Sequence, residues 1–145
     1  MRILILPLLL AASPAFAWDA TIGPICTLTH NTPTASVELT YDPAAPLYTI
    51  TITLTRKDAA WPDARVFEMT FDGPNPLSIT TNRHALSDNN KALTVSDQGF
   101  GNVLDGLQFN DTATALSGGA QVSLPLDGAA PAVQAFRDCP PSVGA

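Results

Sequence analysis

Basic side chains are scarce in this chain of 145 residues. Seven Lys and Arg residues stand against thirteen Asp and Glu residues, which gives a formal net charge of −6 at pH 7 with His neutral. Binding to a phosphate backbone requires a basic patch that can release counterions, but Arg56-Lys57 is the only pair of adjacent cations in the sequence. The charge balance therefore argues against a nucleic-acid partner.

Side chains for catalysis are also few. The chain has two histidines, His30 and His84, two cysteines and no Gly-x-Ser-x-Gly motif. Nucleophilic catalysis needs a nucleophile, a base and a group that orients the base. We therefore expect a non-enzymatic protein without a cofactor, with a small hydrolase or a metal-dependent enzyme as the alternative.

A long apolar run occurs once, at the N-terminus. Arg2 precedes the apolar stretch 3–12, and Ala15-Phe16-Ala17 follows it, which is the pattern of a secretory signal peptide with small residues at the cleavage site. The run is too short to span a bilayer. The sequence predicts a signal peptide at 1–17, a mature start near Trp18, and a periplasmic or secreted protein without stable membrane insertion.

Two cysteines remain in the expected mature chain, Cys26 near its start and Cys139 near its end. An oxidising compartment favours a disulfide between them. Closing so long a loop stabilises a fold by ~4–5 kcal/mol in the chain-entropy account. We predict this disulfide, with free or metal-binding thiols as the alternative.

Hydrophobic alternation is most regular between Tyr48 and Arg56, where large apolar residues take turns with threonines. Successive side chains of a strand point to opposite faces, so we expect Tyr48, Ile50, Ile52 and Leu54 on a buried face and the threonines on a wet one. One dry face indicates an antiparallel sheet. We interpret this segment as its central strand.

Similar patterns separated by turn residues predict seven or eight short strands. A proline-bounded turn at 42–46 should join the strand before it to the central strand as a hairpin, and 112–116 should pair with 122–126 across a glycine turn. The segment 19–33 has no sustained period beyond a short strand around Cys26. We therefore expect one domain at 18–145, an antiparallel β-sandwich or partly open barrel.

Two helices complete the expected fold. Apolar residues at three-and-four spacing within 99–109 predict a short internal helix that Gly106 weakens or ends. Near the C-terminus, Pro131 suits the first turn of a second helix. One face of this C-terminal helix should carry these residues to the core: Ala132, Ala135, Phe136 and Cys139.

Three loops, at 58–65, 74–76 and 82–90, are the expected places for a binding surface, because loops on a rigid scaffold carry most binding residues. Trp61, bracketed by alanine and proline, could offer an aromatic face to a partner. The favoured alternative is that Trp61 covers the core.

Arg83, His84 and Asp88 form a second candidate, a polar binding site at the end of a predicted strand. The alternative is that His84 is a loop histidine that bonds locally.

The glycine-rich stretch 97–105 supplies Asp97, Asn102 and Asp105 as weak calcium candidates, since calcium takes carboxylate and carbonyl oxygens. The stretch does not follow the EF-hand pattern, and a glycine turn that leads into a helix needs no ion. We therefore expect no metal.

Five stretches of the sequence together carry a family resemblance: Cys26-Thr-Leu-Thr-His30, Leu39-Thr-Tyr-Asp42, Tyr48-Thr-Ile-Thr-Ile52, Gly99-Phe-Gly-Asn-Val-Leu-Asp-Gly-Leu107 and Pro125-Leu-Asp-Gly-Ala-Ala-Pro-Ala-Val-Gln-Ala-Phe-Arg-Asp-Cys139. They resemble an uncharacterised family of small exported proteins of Gram-negative bacteria whose members are often labelled as a component of the ABC excinuclease. A DNA-repair role is not supported, because the chain has no Gly-x-x-x-x-Gly-Lys-Ser/Thr motif. The C-terminal part is also distantly similar to the invasion-associated locus B proteins, small periplasmic β-sandwiches. No functional residue carries over from either family.

A domain closed by a disulfide and without a recognisable set of catalytic residues is typical of an interaction module. The leading hypothesis is an exported binding module whose partner is an envelope protein or a glycan. A small periplasmic hydrolase or metal-dependent enzyme, and an inhibitor of a lytic enzyme, are the alternatives.

Overall fold

A computed structural model describes residues 18–140, which form ten strands and two helices. The predicted signal peptide at 1–17 lies outside the described residues. Helix α1 (Gly101–Gln108) lies between the eighth and ninth strands, and helix α2 (Ala129–Arg137) follows the tenth. In chain order the strands are β1 (Trp18–Thr21), β2 (Cys26–Asn31), β3 (Ala35–Asp42), β4 (Leu47–Leu54), β5 (Phe67–Asp72), β6 (Leu77–Thr81), β7 (Ala85–Ser87), β8 (Ala92–Asp97), β9 (Thr112–Ser117) and β10 (Ala120–Pro125).

The strands make two antiparallel sheets. The first sheet has the order β1-β2-β3-β4-β8-β7 and the second the order β10-β9-β5-β6. The alternating segment predicted from Tyr48 is the interior strand β4, with Ile50 and Ile52 buried and the threonines between them partly exposed. The prediction of an antiparallel β-sandwich with two helices is confirmed, with ten strands rather than seven or eight.

Both predicted hairpins are confirmed. In the β3–β4 hairpin, Tyr41 lies opposite Tyr48, and in the β9–β10 hairpin Ser117 lies opposite Ala120. The short strand expected around Cys26 is confirmed as β2, but the prediction missed β1, which pairs with β2 over its whole length. A four-residue strand is too short for alternation to stand out in a sequence.

One side of the sandwich is closed by β1. The indole N–H of Trp18 donates a hydrogen bond of 3.0 Å to the carbonyl oxygen of Pro125, at the end of β10. Since β1 and β10 are the outer strands of the two sheets, this bond joins their edges. On the opposite side the outer strands are β7 and β6, and the end of β8 extends beyond β7.

Helix α1 continues through Gly106 to Gln108, so the prediction that this glycine weakens or ends the helix was wrong about the helix end. Gly106 is buried, and a Cβ atom built on it would lie 2.5 Å from the ring of Phe71, which is itself fully buried on β5. The glycine therefore allows the helix to approach the second sheet closely. The missing side chain at Gly106 makes room for the Phe71 ring and does not mark the end of the helix.

Gly106→Ala should lower the free energy of unfolding by about 1–3 kcal/mol, because the Phe71 ring cannot move aside without cost. Helix propensity alone predicts the opposite, a gain of ~1 kcal/mol. Gly101→Ala is the matched control in the same helix, since a Cβ there meets nothing within 4 Å. Urea unfolding of both variants checks this, and a G106A protein as stable as wild type would contradict the close packing.

Helix α2 buries a face that differs by one residue from the predicted one. Phe136 and Cys139 are buried as expected, but Ala135 is exposed and Val133 is buried in its place. Together with Ala129, Val133 lies on one i, i+4 row of α2, the helix that packs against α1, β1 and β2. Among residues 18–140, neither helix is long and apolar enough to cross a membrane.

The predicted disulfide is confirmed. Cys26 at the start of β2 is bonded to Cys139 just after α2, with Cα atoms 6.2 Å apart. The bond fastens the C-terminal helix to the first sheet.

Candidate functional site

The open side of the sandwich arises from the length of β7. This strand covers only the first half of β8, and Ala85 opposite Thr94 is the last pair. The chain passes from β6 in the second sheet to β7 in the first through residues 82–84. The end of β8 and the end of β6 therefore face each other across a gap between the sheets.

A cleft of about 430 Å³ occupies this gap. Its floor consists of Ile50, Phe67 and Met69, which are at most 3% exposed. Its walls are apolar residues from both sheets and from the first turn of α1: Ile79, Val95, Phe100 and Val103. The cleft is thus an opening into the hydrophobic core.

Charged groups lie at the mouth of the cleft. Arg83 Nη2 lies 3.3 Å from Asp97 Oδ2, and the two side chains are 71% and 46% exposed. The other carboxylate oxygen of Asp97 accepts the backbone N–H of Gln98 at 2.7 Å. Exposed ion pairs of this kind are screened by water and contribute little to stability, so Arg83 can move away from Asp97 at small cost.

The N-terminus of α1 forms part of the same mouth. Its first backbone bond runs from the Leu104 N–H to the Phe100 carbonyl at 2.8 Å, so the N–H groups of Gly101, Asn102 and Val103 precede the intrahelical ladder. No side chain among the described residues caps this end, and the first turn has no acidic residue. The helix therefore presents a partial positive charge there.

Tyr48 is half-buried and packs against a wall of the cleft. Its ring stacks on Phe100 with centroids 5.4 Å apart and on Tyr41 at 4.1 Å. Burial raises the pKa of the Tyr48 phenol, Tyr41 adds to the rise and Arg137 opposes it. Tyr48 is therefore a neutral aromatic residue at physiological pH, and Phe100 is held as a fixed wall of the cleft.

The predicted polar site of Arg83, His84 and Asp88 is not brought together. Arg83 lines the cleft, whereas His84 lines a separate shallow hollow with Asp63 and Arg65. Asp88 is exposed in the β7–β8 turn, with a φ of 54°. The acid that meets Arg83 is Asp97, which the sequence had suggested as part of an ion site.

His84 does not bond locally as its alternative predicted. Its Nδ1 atom is buried without a hydrogen-bond partner among the described residues, and its ring is tilted against Phe67 with centroids 6.3 Å apart.

The calcium candidates do not converge either. Asp97 pairs with Arg83, and Asp105 Oδ1 lies 2.8 Å from Arg137 Nη1, while Asn102 is exposed at the start of α1. Each carboxylate already has an arginine partner, which disfavours a shared cation. Within residues 18–140, no group of three or more His, Cys, Asp or Glu side chains could hold a metal.

Trp61 belongs to the core and offers no exposed aromatic face. It is 1% exposed, and its indole N–H donates a hydrogen bond of 3.1 Å to the Ile52 carbonyl oxygen. Its backbone N–H bonds to the Asn90 carbonyl at 2.7 Å, and Lys91 Nζ bonds to the carbonyl of Ala59 at 2.9 Å. These bonds fix the loop and leave Trp61 as a cover on the core.

Comparisons with known proteins do not assign this site. A scan against protein-family models, a search of curated proteins and a search of solved structures each returned no match to the chain. The resemblance to exported Gram-negative proteins therefore stays a prediction, and the case for a function depends on the cleft between β8 and β6.

Proposed function

We propose that this protein is an exported, non-enzymatic binding protein that takes a small molecule with an apolar body into the cleft between β8 and β6. The observation that carries the proposal is the apolar floor of this cleft, where Ile50, Phe67 and Met69 line an open space. Its volume of about 430 Å³ falls within the range of ~300–1,000 Å³ typical of small-molecule sites. An apolar lining favours an apolar ligand over a glycan, which was one of the two kinds of partner expected from the sequence.

The lining side chains support binding more than hydrolysis. Thr80 and Thr81 supply hydroxyl groups, but the described residues that line the cleft include no histidine or cysteine, and its one carboxylate, Asp97, is held by Arg83. A threonine nucleophile would lack a neighbouring base. The hydrolase alternative therefore has no support from the arrangement of the cleft.

Export to the periplasm or the medium is part of the same proposal. The Cys26–Cys139 disulfide supports it, because structural disulfides persist in oxidising compartments. The signal peptide predicted at 1–17 points in the same direction.

Binding of the neutral fluorescent probe N-phenyl-1-naphthylamine tests the proposal. The probe should brighten on binding to the folded wild-type protein, and Val103→Phe should weaken its affinity on the order of tenfold, since a larger side chain would occupy the cleft. Val66→Phe is the matched control, because Val66 is 49% exposed and does not line the cleft.

Thermal melting of both variants would show that each one folds. Equal probe binding by wild type, V103F and V66F would overturn the proposal, since it would place the probe elsewhere on the surface. Absence of probe binding by wild type would overturn it as well.

A further inference from the structure

We infer that the ligand of the cleft is a monoanionic amphiphile of the alkyl carboxylate class, with its apolar chain on the cleft floor and its carboxylate on Arg83. This inference rests on the proposed function and names the chemistry of its ligand. It is based on the two charged side chains at the mouth of the cleft, Arg83 and Asp97, which differ in how many of their hydrogen-bonding groups are already used.

Asp97 and Arg83 differ in how much of their hydrogen-bonding capacity is used. Both oxygens of Asp97 are engaged, Oδ2 by Arg83 and Oδ1 by the backbone N–H of Gln98. Arg83 has five N–H donors in a planar fork, and its one side-chain hydrogen bond among the described residues runs from Nη2 to Asp97. Arg83 therefore has spare donors, whereas both oxygens of Asp97 already accept a hydrogen bond, which favours an anion over a cation at this pair.

The geometry of the fork selects the kind of anion. A guanidinium group matches a carboxylate with two parallel N–H···O bonds, which makes the contact directional as well as charged. The uncapped end of α1 adds a weaker field of the same sign at the mouth. A ligand carboxylate that displaces Asp97 from Arg83 exchanges an exposed single contact for a bidentate one.

The apolar part of the ligand follows from the depth of the site. The charged pair is exposed at the mouth, and Ile50 and Met69 on the floor are 2% exposed. A molecule that reaches both must be polar at one end and apolar along the rest. A volume of about 430 Å³ suits a single medium-length alkyl chain and is too small for a bilayer or a folded partner.

Three probes with the same ten-carbon chain test the inference: decanoate, decanol and decyltrimethylammonium. Each is titrated into the full mature protein below its micelle concentration, with displacement of N-phenyl-1-naphthylamine as the readout. We expect decanoate to bind about five- to tenfold more tightly than decanol at low salt, and the cation most weakly. The preference for decanoate should shrink as salt is added.

Two variants assign the preference to Arg83. Arg83→Gln should remove the advantage of decanoate over decanol, so that the ratio of the two affinities falls to about one. Asp97→Asn keeps an oxygen for the Gln98 N–H but releases Arg83, so the affinity for decanoate should rise a few-fold. The two variants should shift the affinity for decanoate in opposite directions. Misfolding would lower the affinity in both variants, so the opposite shifts exclude it as the cause.

The outcomes separate the ligand class from the proposed function. If decanol and decanoate bind equally to wild type, or if R83Q leaves their ratio unchanged, the inference is overturned and the proposed function stands. If none of the three probes displaces bound N-phenyl-1-naphthylamine, the inference is again overturned, whereas a wild-type protein that does not bind N-phenyl-1-naphthylamine overturns the proposed function itself.

Discussion

Trp61→Ala should lower the free energy of unfolding by ~3–5 kcal/mol, the usual cost of removing a large buried aromatic side chain. Trp61 is among the largest fully buried side chains, and its ring meets Phe67 edge to face with centroids 6.3 Å apart. The variant would leave a cavity and also remove the donor to the Ile52 carbonyl. Urea unfolding followed by circular dichroism measures the change.

Trp61→Phe is the control that separates the two contributions. It retains most of the ring but removes the indole N–H, so its cost should be smaller, about 0.5–1.5 kcal/mol for the lost hydrogen bond. Because Trp61 does not line the cleft, folded W61F should bind N-phenyl-1-naphthylamine as wild type does. Wild-type stability in W61A together with lost ligand binding would mean that Trp61 is a contact residue after all.

Loss of the Cys26–Cys139 bond should have an effect of similar size. The two cysteines are 113 residues apart in sequence, and opening a loop of this length is expected to cost ~4–5 kcal/mol through the greater entropy of the unfolded chain. The double variant Cys26→Ala/Cys139→Ala should therefore be far less stable than the oxidised protein. Alanine is preferred to serine because Cys26 is fully buried.

Reduced wild-type protein is the matched control for the double variant, since both lack the covalent link and keep nearly every other contact. Their midpoints in urea should nearly coincide and lie well below that of the oxidised protein. In the oxidised, folded protein, a thiol reagent should find no reactive cysteine. Two titratable thiols before unfolding and reduction would contradict the bond.

Local patterns in the sequence predicted most of the fold because each depends on neighbouring residues. The alternation of Ile50 and Ile52 with threonines sets the two faces of β4, and the proline-bounded turn at 42–46 joins β3 to β4 as predicted. Gly106 was misread for the opposite reason. Its role depends on Phe71, which lies 35 positions away in sequence and meets it only after the sheet and helix have packed.

The cleft could not be predicted by the same means. Ile79 and Val95 show the alternation of ordinary core-facing strand residues, and no local signal indicates that β7 stops at a position that leaves them uncovered. Arg83 was identified as a candidate, but its partner Asp97 lies on another strand and was read as part of a loop. The uncovered end of β8 and the contact between Arg83 and Asp97 both depend on which strands pair and in which register. A single sequence carries little information about the register between distant strands.

The most direct test of a ligand site between the sheets is a methyl nuclear magnetic resonance titration of the folded protein with decanoate and, separately, with decanol. We expect shift changes concentrated at the methyl groups of Ile79, Val95 and Val103, which line the cleft. Changes confined to Ile22 and Ile25, which are exposed between β1 and β2, would show binding to a surface patch instead. That result, or no change with either probe, would contradict a ligand site between the sheets.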